Sequence, residues 1–215
     1  MPSDAKEVLE KNLTKVVDIL SFHDKVQNPA VGAPPTASRS LVLGGAVLAY
    51  AAWEGYVERL AIEACTRLAD HLAPDQVEAA VKQKIKAEAW EMAGDGWRNV
   101  WKERVHLKAY GDGADKYGLN DANTAGVRSL FELLGFDPFD GVSWQHMNPV
   151  QVQAKLDTVY TVRCQIAHTA EAPDAFGIND ARDFLDFVDR LAKLFDESVR
   201  TKVFAKTGVA PWPAA

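Results

Sequence analysis

Cysteine occurs only twice in the 215 residues, at Cys65 and Cys164, and neither sits in a CxxC pair. Two such thiols cannot staple a small secreted scaffold or form a cysteine zinc site, and a reducing cytosol is the expected compartment. Histidine is also sparse: His23, His71, His106, His146 and His168 are scattered, with no HExxH and no pair at i,i+4, so no metal is expected. Glycine-rich phosphate loops are missing. Gly44-Gly45 leads into a helical pattern with no GxGxxG or GxxxxGK[ST] and no strand before it, so no nucleotide cofactor is expected. The DGADKYG stretch at 112–118 opens like a calcium loop, but the position that requires Glu is Asn123. Positive charge is in deficit, with 24 Lys+Arg against 30 Asp+Glu and a net charge of -6. An indiscriminate polycationic grip on nucleic acid is thereby excluded, and any such role needs a local site. The longest apolar run, Leu41 to Trp53, has 13 residues, contains two glycines and is too short to span a bilayer. The opening MPSDAKEVLEKN has no signal-peptide core. A soluble, cytoplasmic protein with no membrane partner is expected.

What is present is helical periodicity. Hydrophobic residues make up 47% and charged residues 25%, an ordinary globular composition, and the length fits a single domain over 1–215. Asp4 with Glu7 resembles a capping box, followed by Leu9, Leu13, Val16 and Leu20 at helical spacing, and that helix should end by Asn28-Pro29. NPAVGAPPTAS at 28–38 is a Pro/Gly-rich connection. From about Ser38 or Ser40 to about Leu72 one long helix is predicted, with Ala46, Tyr50, Trp53, Val57, Leu60 and Ala64 as its stripe. Its first half is apolar nearly all round, as befits a central helix, and Cys65 reads as a small core residue. Pro74 to about Met92 reads as a more polar, peripheral helix, and Gly94 to Asn120 has the least legible pattern. Asn123 should cap a short helix carrying Val127, Leu130, Phe131 and Leu134, closed by Gly135. Asn148-Pro149 is an N-cap with Pro at the first helical position, and Asn179 should start a final helix with Phe184, Val188, Leu191, Phe195 and Val199 inward. No stretch alternates with period two, so the fold class is all-α.

One residue breaks the pattern. Arg163 falls on the same helical face as Leu156, Val159 and Ile166. An unpaired guanidinium there is costly and needs partners. His168 follows five residues later, where TAEAPD should end the helix. Five residues correspond to about 140° of rotation, so the two side chains converge only if the helix ends or loosens between them. The plain reading is an Arg paired to an acid and a helix-end His favoured by the macrodipole; the alternative is a site.

Arg163-Cys-Gln-Ile-Ala-His168 resembles the R-x(4–6)-H signature of HEPN domains. VLAYAAWEGYVERL (47–60), with Trp53-Glu54 mid-helix, is similar to the long helix of the RiboL-PSP-type group. NTAGVRSLFELLGFDP (123–138) and GINDARDFLDFVDRL (177–191) resemble that group's short Asn-led helix and closing helix. The likeness covers about 38–201, in the right order, and leaves 74–120 as a possible helical or loop insertion. What the resemblance implies is a helical bundle that forms a homodimer and cleaves RNA without metal, often as a toxin or in phage defence, beside an antitoxin or defence-system partner protein. The matched catalytic residues are Arg163 and His168, with Glu54 in support. Cys164 departs from the Asn, Asp or His usual after the Arg.

These residue types suit the chemistry. RNA carries its own nucleophile, the 2′-OH, so cleavage needs a base, an acid and a stabiliser of phosphorane charge. A guanidinium fork fits the last role, and an imidazole fits either of the first two near neutral pH. One His cannot easily act on both sides of the phosphorus, and a two-fold partner would supply a second. Glu54 either orients Arg163 or faces solvent with Glu58 one turn on. The competing reading is a non-catalytic dimeric module for protein interaction or for nucleotide or RNA binding, which the net charge of -6 favours. Lys102, Arg104, Lys108 and Arg128 are the local bases available to offset that charge.

Overall fold

The computed structural model describes residues 1–26, 36–86, 94–113, 118–173 and 175–213. It is 74% helical, with seven α-helices and no strand among the described residues. These are α1 (Asp4–Val26), α2 (Ala37–His71), α3 (Ala79–Ile85), α4 (Gly96–Tyr110), α5 (Thr124–Phe131), α6 (Pro149–Thr169) and α7 (Ile178–Thr207). The fold is therefore all-α.

The long α2 is the axis, packed against α1, α4, α6 and α7. Its predicted stripe is buried, from Ala46 through Tyr50, Trp53, Val57 and Leu60 to Ala64, and Tyr56 and Cys65 are buried with it. By length and composition alone α2 could cross a membrane, but half of its most apolar window is covered by the protein itself. Trp53 sits at the centre. Its Nε1 donates to Ala122 O at 2.8 Å, and its ring packs 5.4 Å from Phe195 of α7. Phe195 also meets Phe131 and Phe139, so α2, α5 and α7 share one aromatic core. Where α1 crosses α2, a Cβ on Gly45 would lie 2.4 Å from Leu20 Cδ2, so a larger residue there would have to displace the Leu20 side chain.

The sequence placed the helix ends closely but assigned some caps wrongly. Ser3 caps α1: the Lys6 N–H donates to its Oγ at 3.1 Å, and Asp4 is already helical. Ser3 also bonds Asp196 of α7, which Trp212 Nε1 reaches at 3.1 Å, so both chain ends are tied to one buried carboxylate. Asn123 Oδ1 accepts from Gly126 N at 2.8 Å, as its position predicts, and Gly135 closes the following 3-10 turn (Glu132–Leu134) at φ 77°. Asn148 forms a full capping box with Gln151 ahead of Pro149. The last helix begins one residue before Asn179, because Asp180 Oδ2 accepts from Gly177 N at 2.7 Å and makes Gly177 the cap.

The segment read as a peripheral helix from Pro74 is shorter and better anchored. Within its described part only Ala79–Ile85 is helical, with Val81 and Ile85 buried and Lys86 turning left-handed at φ 55°. Residues 87–92 of that expectation lie outside the described residues, as do most of the connection at 28–38 and of the DGADKYG stretch. The illegible region holds α4, which buries Trp97, Trp101, Val105 and Ala109 at strict i,i+4 spacing. Trp101 Nε1 donates to Leu133 O at 2.7 Å, and Arg98 donates to the carbonyls of Ala69 and Leu72 at the end of α2. The described parts of 74–120 thus contribute to the core through α3 and α4.

Candidate active site

Arg163 projects from the inward face of α6, where Val152, Leu156, Val159 and Ile166 are buried. Its side chain is 26% exposed, and Nη2 lies 3.6 Å from Glu54 Oε2 on α2, whose side chain is 16% exposed. Of the two readings of Glu54, the paired one is the observed one. The guanidinium carbon sits 5.3 Å from the Tyr50 ring centroid, a cation–π distance, and Nη1 points at Cys164 Sγ at 3.9 Å. Tyr50 lies one turn before Glu54, so α2 presents an aromatic face and a carboxylate to the same guanidinium.

A second layer closes the cluster. Tyr160, one turn before Arg163, donates its hydroxyl to Asp121 Oδ1 at 2.7 Å and packs 5.9 Å from Tyr50. Asp121 is held beside Ala122, whose carbonyl accepts from Trp53, so the aromatic core fixes this loop against α2. Thr124 N donates to Asp157 Oδ1 at 2.8 Å and fastens the start of α5 to α6.

The electrostatics keep these groups poised. Burial pushes the Glu54 carboxyl up to about 6, aided by Asp121, although Arg163 and the Ala122 backbone pull it down. Burial raises Glu58, one turn on, to about 7, with the Glu54 charge adding to it. Burial also raises the Tyr50 phenol, and the bond to Asp121 raises Tyr160. Tyr50 Oη, Glu54 Oε1 and Arg163 Nε are all buried with no hydrogen-bond partner among the described residues. Each such atom costs about 1–3 kcal/mol. Three of them surround one ion pair, and clusters of buried, perturbed polar groups are enriched at functional sites.

Both carboxyls bind protons more tightly in the folded chain than in the unfolded one, so their contribution to stability is largest below the ordinary value of 4.5. It is lost as pH rises to about 6 for Glu54 and about 7 for Glu58. Glu54→Gln and Glu58→Gln should each flatten the decline in thermal midpoint between pH 5 and 8, read by circular dichroism. An unchanged pH slope in both would show that neither carboxyl is perturbed.

His168 stands apart. It is exposed on the last turn of α6, which stays helical through Thr169 and closes with the Ala170 N–H donating to Ile166 O at 2.8 Å. The helix does not loosen between Arg163 and His168. At 100° and 1.5 Å per residue the two lie about 140° and 7.5 Å apart on its surface. One chain thus brings Arg163 and Glu54 together and leaves His168 outside their cluster. From the sequence Tyr50 and Tyr160 read only as helix-stripe residues, and Asp121 is not singled out. The two tyrosines carried a signal, since each sits one turn from a chosen residue, whereas Asp121 is placed only by tertiary contact. No group of three or more His, Cys, Asp or Glu is arranged to hold a metal ion among the described residues.

The profile of the RiboL-PSP-HEPN family matches residues 11–201, running through the segment 74–120 as well as the helices around it. No curated protein and no solved structure matches the chain. With the match spanning nearly the whole all-α bundle and including Glu54, Arg163 and His168, the chain belongs to the RiboL-PSP-HEPN family.

Proposed function

We propose that the protein is a metal-independent endoribonuclease of a toxin or phage-defence system, active in the cytoplasm as a two-fold homodimer whose site is built from both protomers. The observation that supports this reading most is Arg163. It is a half-buried guanidinium on an apolar helix face, backed by Glu54 and stacked on Tyr50, in a chain of this family. Glu54 and Tyr50 hold the fork in place, and the exposed quarter of the side chain is the part that would meet phosphate oxygens.

In the proposed reaction the O2′ of the substrate attacks the adjacent phosphorus, forming the O2′–P bond as the P–O5′ bond breaks. One His168 takes the 2′-OH proton, and His168 of the partner subunit delivers a proton to the leaving O5′. Arg163 stabilises the charge that gathers on the phosphorane oxygens. The products are a 2′,3′-cyclic phosphate and a 5′-OH. The outward position of His168 leaves it free to meet a second protomer, and the long Arg163 side chain would have to bridge the roughly 140° between them to reach the same phosphate. Incubating RNA with the purified protein in excess EDTA should yield these two ends. Cleavage abolished by EDTA, or products with a 3′-OH, would refute the mechanism.

One observation favours a second reading, a non-catalytic dimeric module for a protein partner such as an antitoxin, or for a nucleotide or RNA. Arg163 is already engaged by Glu54, and Cys164 stands where a stronger hydrogen-bonding side chain is usual. Under that reading RNA or nucleotide is bound but never cleaved.

A further inference from the structure

Of the four bases available to offset the acidic surface, two are already engaged. Lys102 Nζ lies 2.6 Å from Asp70 Oδ1, and Arg128 Nε lies 2.9 Å from Asp137 Oδ2. Arg104 and Lys108 form no ion pair among the described residues. They stand one turn apart on α4, so two like charges share a helix face, an arrangement that is mildly unfavourable by itself and that a bound anion would relieve.

That face forms one wall of a cavity of about 410 Å³, which Lys84 of α3 and Ser129 of α5 also line. An adjoining cavity of about 360 Å³ shares Lys84 and Glu132 with it and adds the aromatic ring of Phe136. The acids of this double groove are already neutralised. Glu132 Oε2 lies 2.5 Å from Lys84 Nζ, Asp137 holds Arg128, and Glu78 holds Lys206. What remains is the uncompensated positive charge of Arg104 and Lys108, with apolar and aromatic surface beside it. Single-stranded nucleic acid is bound by such a combination, cations for the backbone and flat apolar faces for the bases.

We infer that the groove between α3, α4 and α5 is a second RNA-binding site, in which Arg104 and Lys108 take backbone phosphates and the Phe136 cavity takes a base. This rests on the ribonuclease reading only in that the ligand is RNA. The short α5 links the two sites. The loop that leads into it, at Asp121 and Ala122, abuts Glu54 and Tyr160, and Ser129 of the helix lines the groove. An eight-residue helix is about 12 Å long, which sets the scale of the separation between the two sites. The groove thereby supplies the local attraction that a chain of net charge -6 needs to hold RNA.

The test is equilibrium binding of a fluorescent 2′-O-methyl oligouridine, which lacks the nucleophile and cannot be cleaved, across a range of salt concentrations. Each phosphate contact to a single strand adds about 0.7 to the slope of log affinity against log salt. Arg104→Gln with Lys108→Gln should therefore weaken binding and lower that slope by about 1.4. Arg104→Lys should keep the slope, and Ser129→Asp, which adds a negative charge, should weaken binding without touching either cation. Unchanged affinity and slope in both the double variant and Ser129→Asp would overturn the inference. So would a wild type that binds no oligonucleotide, or one that takes only uridine monophosphate or inorganic phosphate at these cations. An unchanged slope alongside EDTA-resistant cleavage would remove the groove alone. Groove-dependent binding with no cleavage of ordinary RNA would remove the nuclease reading alone.

Discussion

Arg163→Ala is expected to reduce RNA cleavage by at least about 10²–10³, the usual cost of removing one strong electrostatic stabiliser of a transition state. The fold should survive it. Losing one partner of a buried pair is normally damaging because the other charge is stranded. Glu54, however, already titrates at about 6, and without the guanidinium that holds it down it will take up a proton instead. Arg163→Lys should recover little, since an ammonium neither forks onto two phosphate oxygens nor stacks on Tyr50 as a plane. Initial rates on a defined RNA, with circular dichroism as the fold control, decide this. Cleavage within threefold of wild type in Arg163→Ala would remove the guanidinium from the mechanism.

His168→Ala should be at least as damaging to the rate, by about 10²–10⁴ for the loss of general acid–base catalysis. It should be silent in stability, to within about 0.5 kcal/mol, because the side chain is exposed on the last helical turn and joins no core stripe. The combination is diagnostic, since a merely structural residue loses activity only as it loses fold. Loss of thermal stability in step with activity would return His168 to the plain reading of a helix-end cation.

Much of the fold was legible because burial followed period 3.6. Leu9 to Leu20 on α1, Ala46 to Ala64 on α2 and Phe184 to Val199 on α7 are buried as their spacing requires. The caps at Asn123 and Asn148 were legible because their side chains bond locally. α4 was not, because four widely spaced apolar residues among Arg98, Lys102, Glu103 and Arg104 give a weak stripe, although the tryptophans at 97 and 101 are large enough to anchor it alone. The anomaly at Arg163 was visible as a charge on an apolar stripe, and Glu54 was visible beside it only through the family resemblance. The bond between Tyr160 and Asp121 joins residues from separate segments, and no local pattern announces it. Sequence spacing left open whether the helix loosens before His168. The backbone bond from Ala170 to Ile166 decides that it does not, and His168 is left exposed, where the proposed dimer would have to engage it.

Whether the site is completed across a two-fold axis is decided by the separation of the two His168 rings in a dimer structure with a bound non-cleavable RNA. Both imidazoles should flank one phosphodiester, one within about 3 Å of O2′ and the other within about 3 Å of O5′, with Arg163 on the phosphate oxygens between them. Imidazoles on opposite faces of the dimer, or a chain that sediments as a monomer at roughly tens of micromolar, would contradict it.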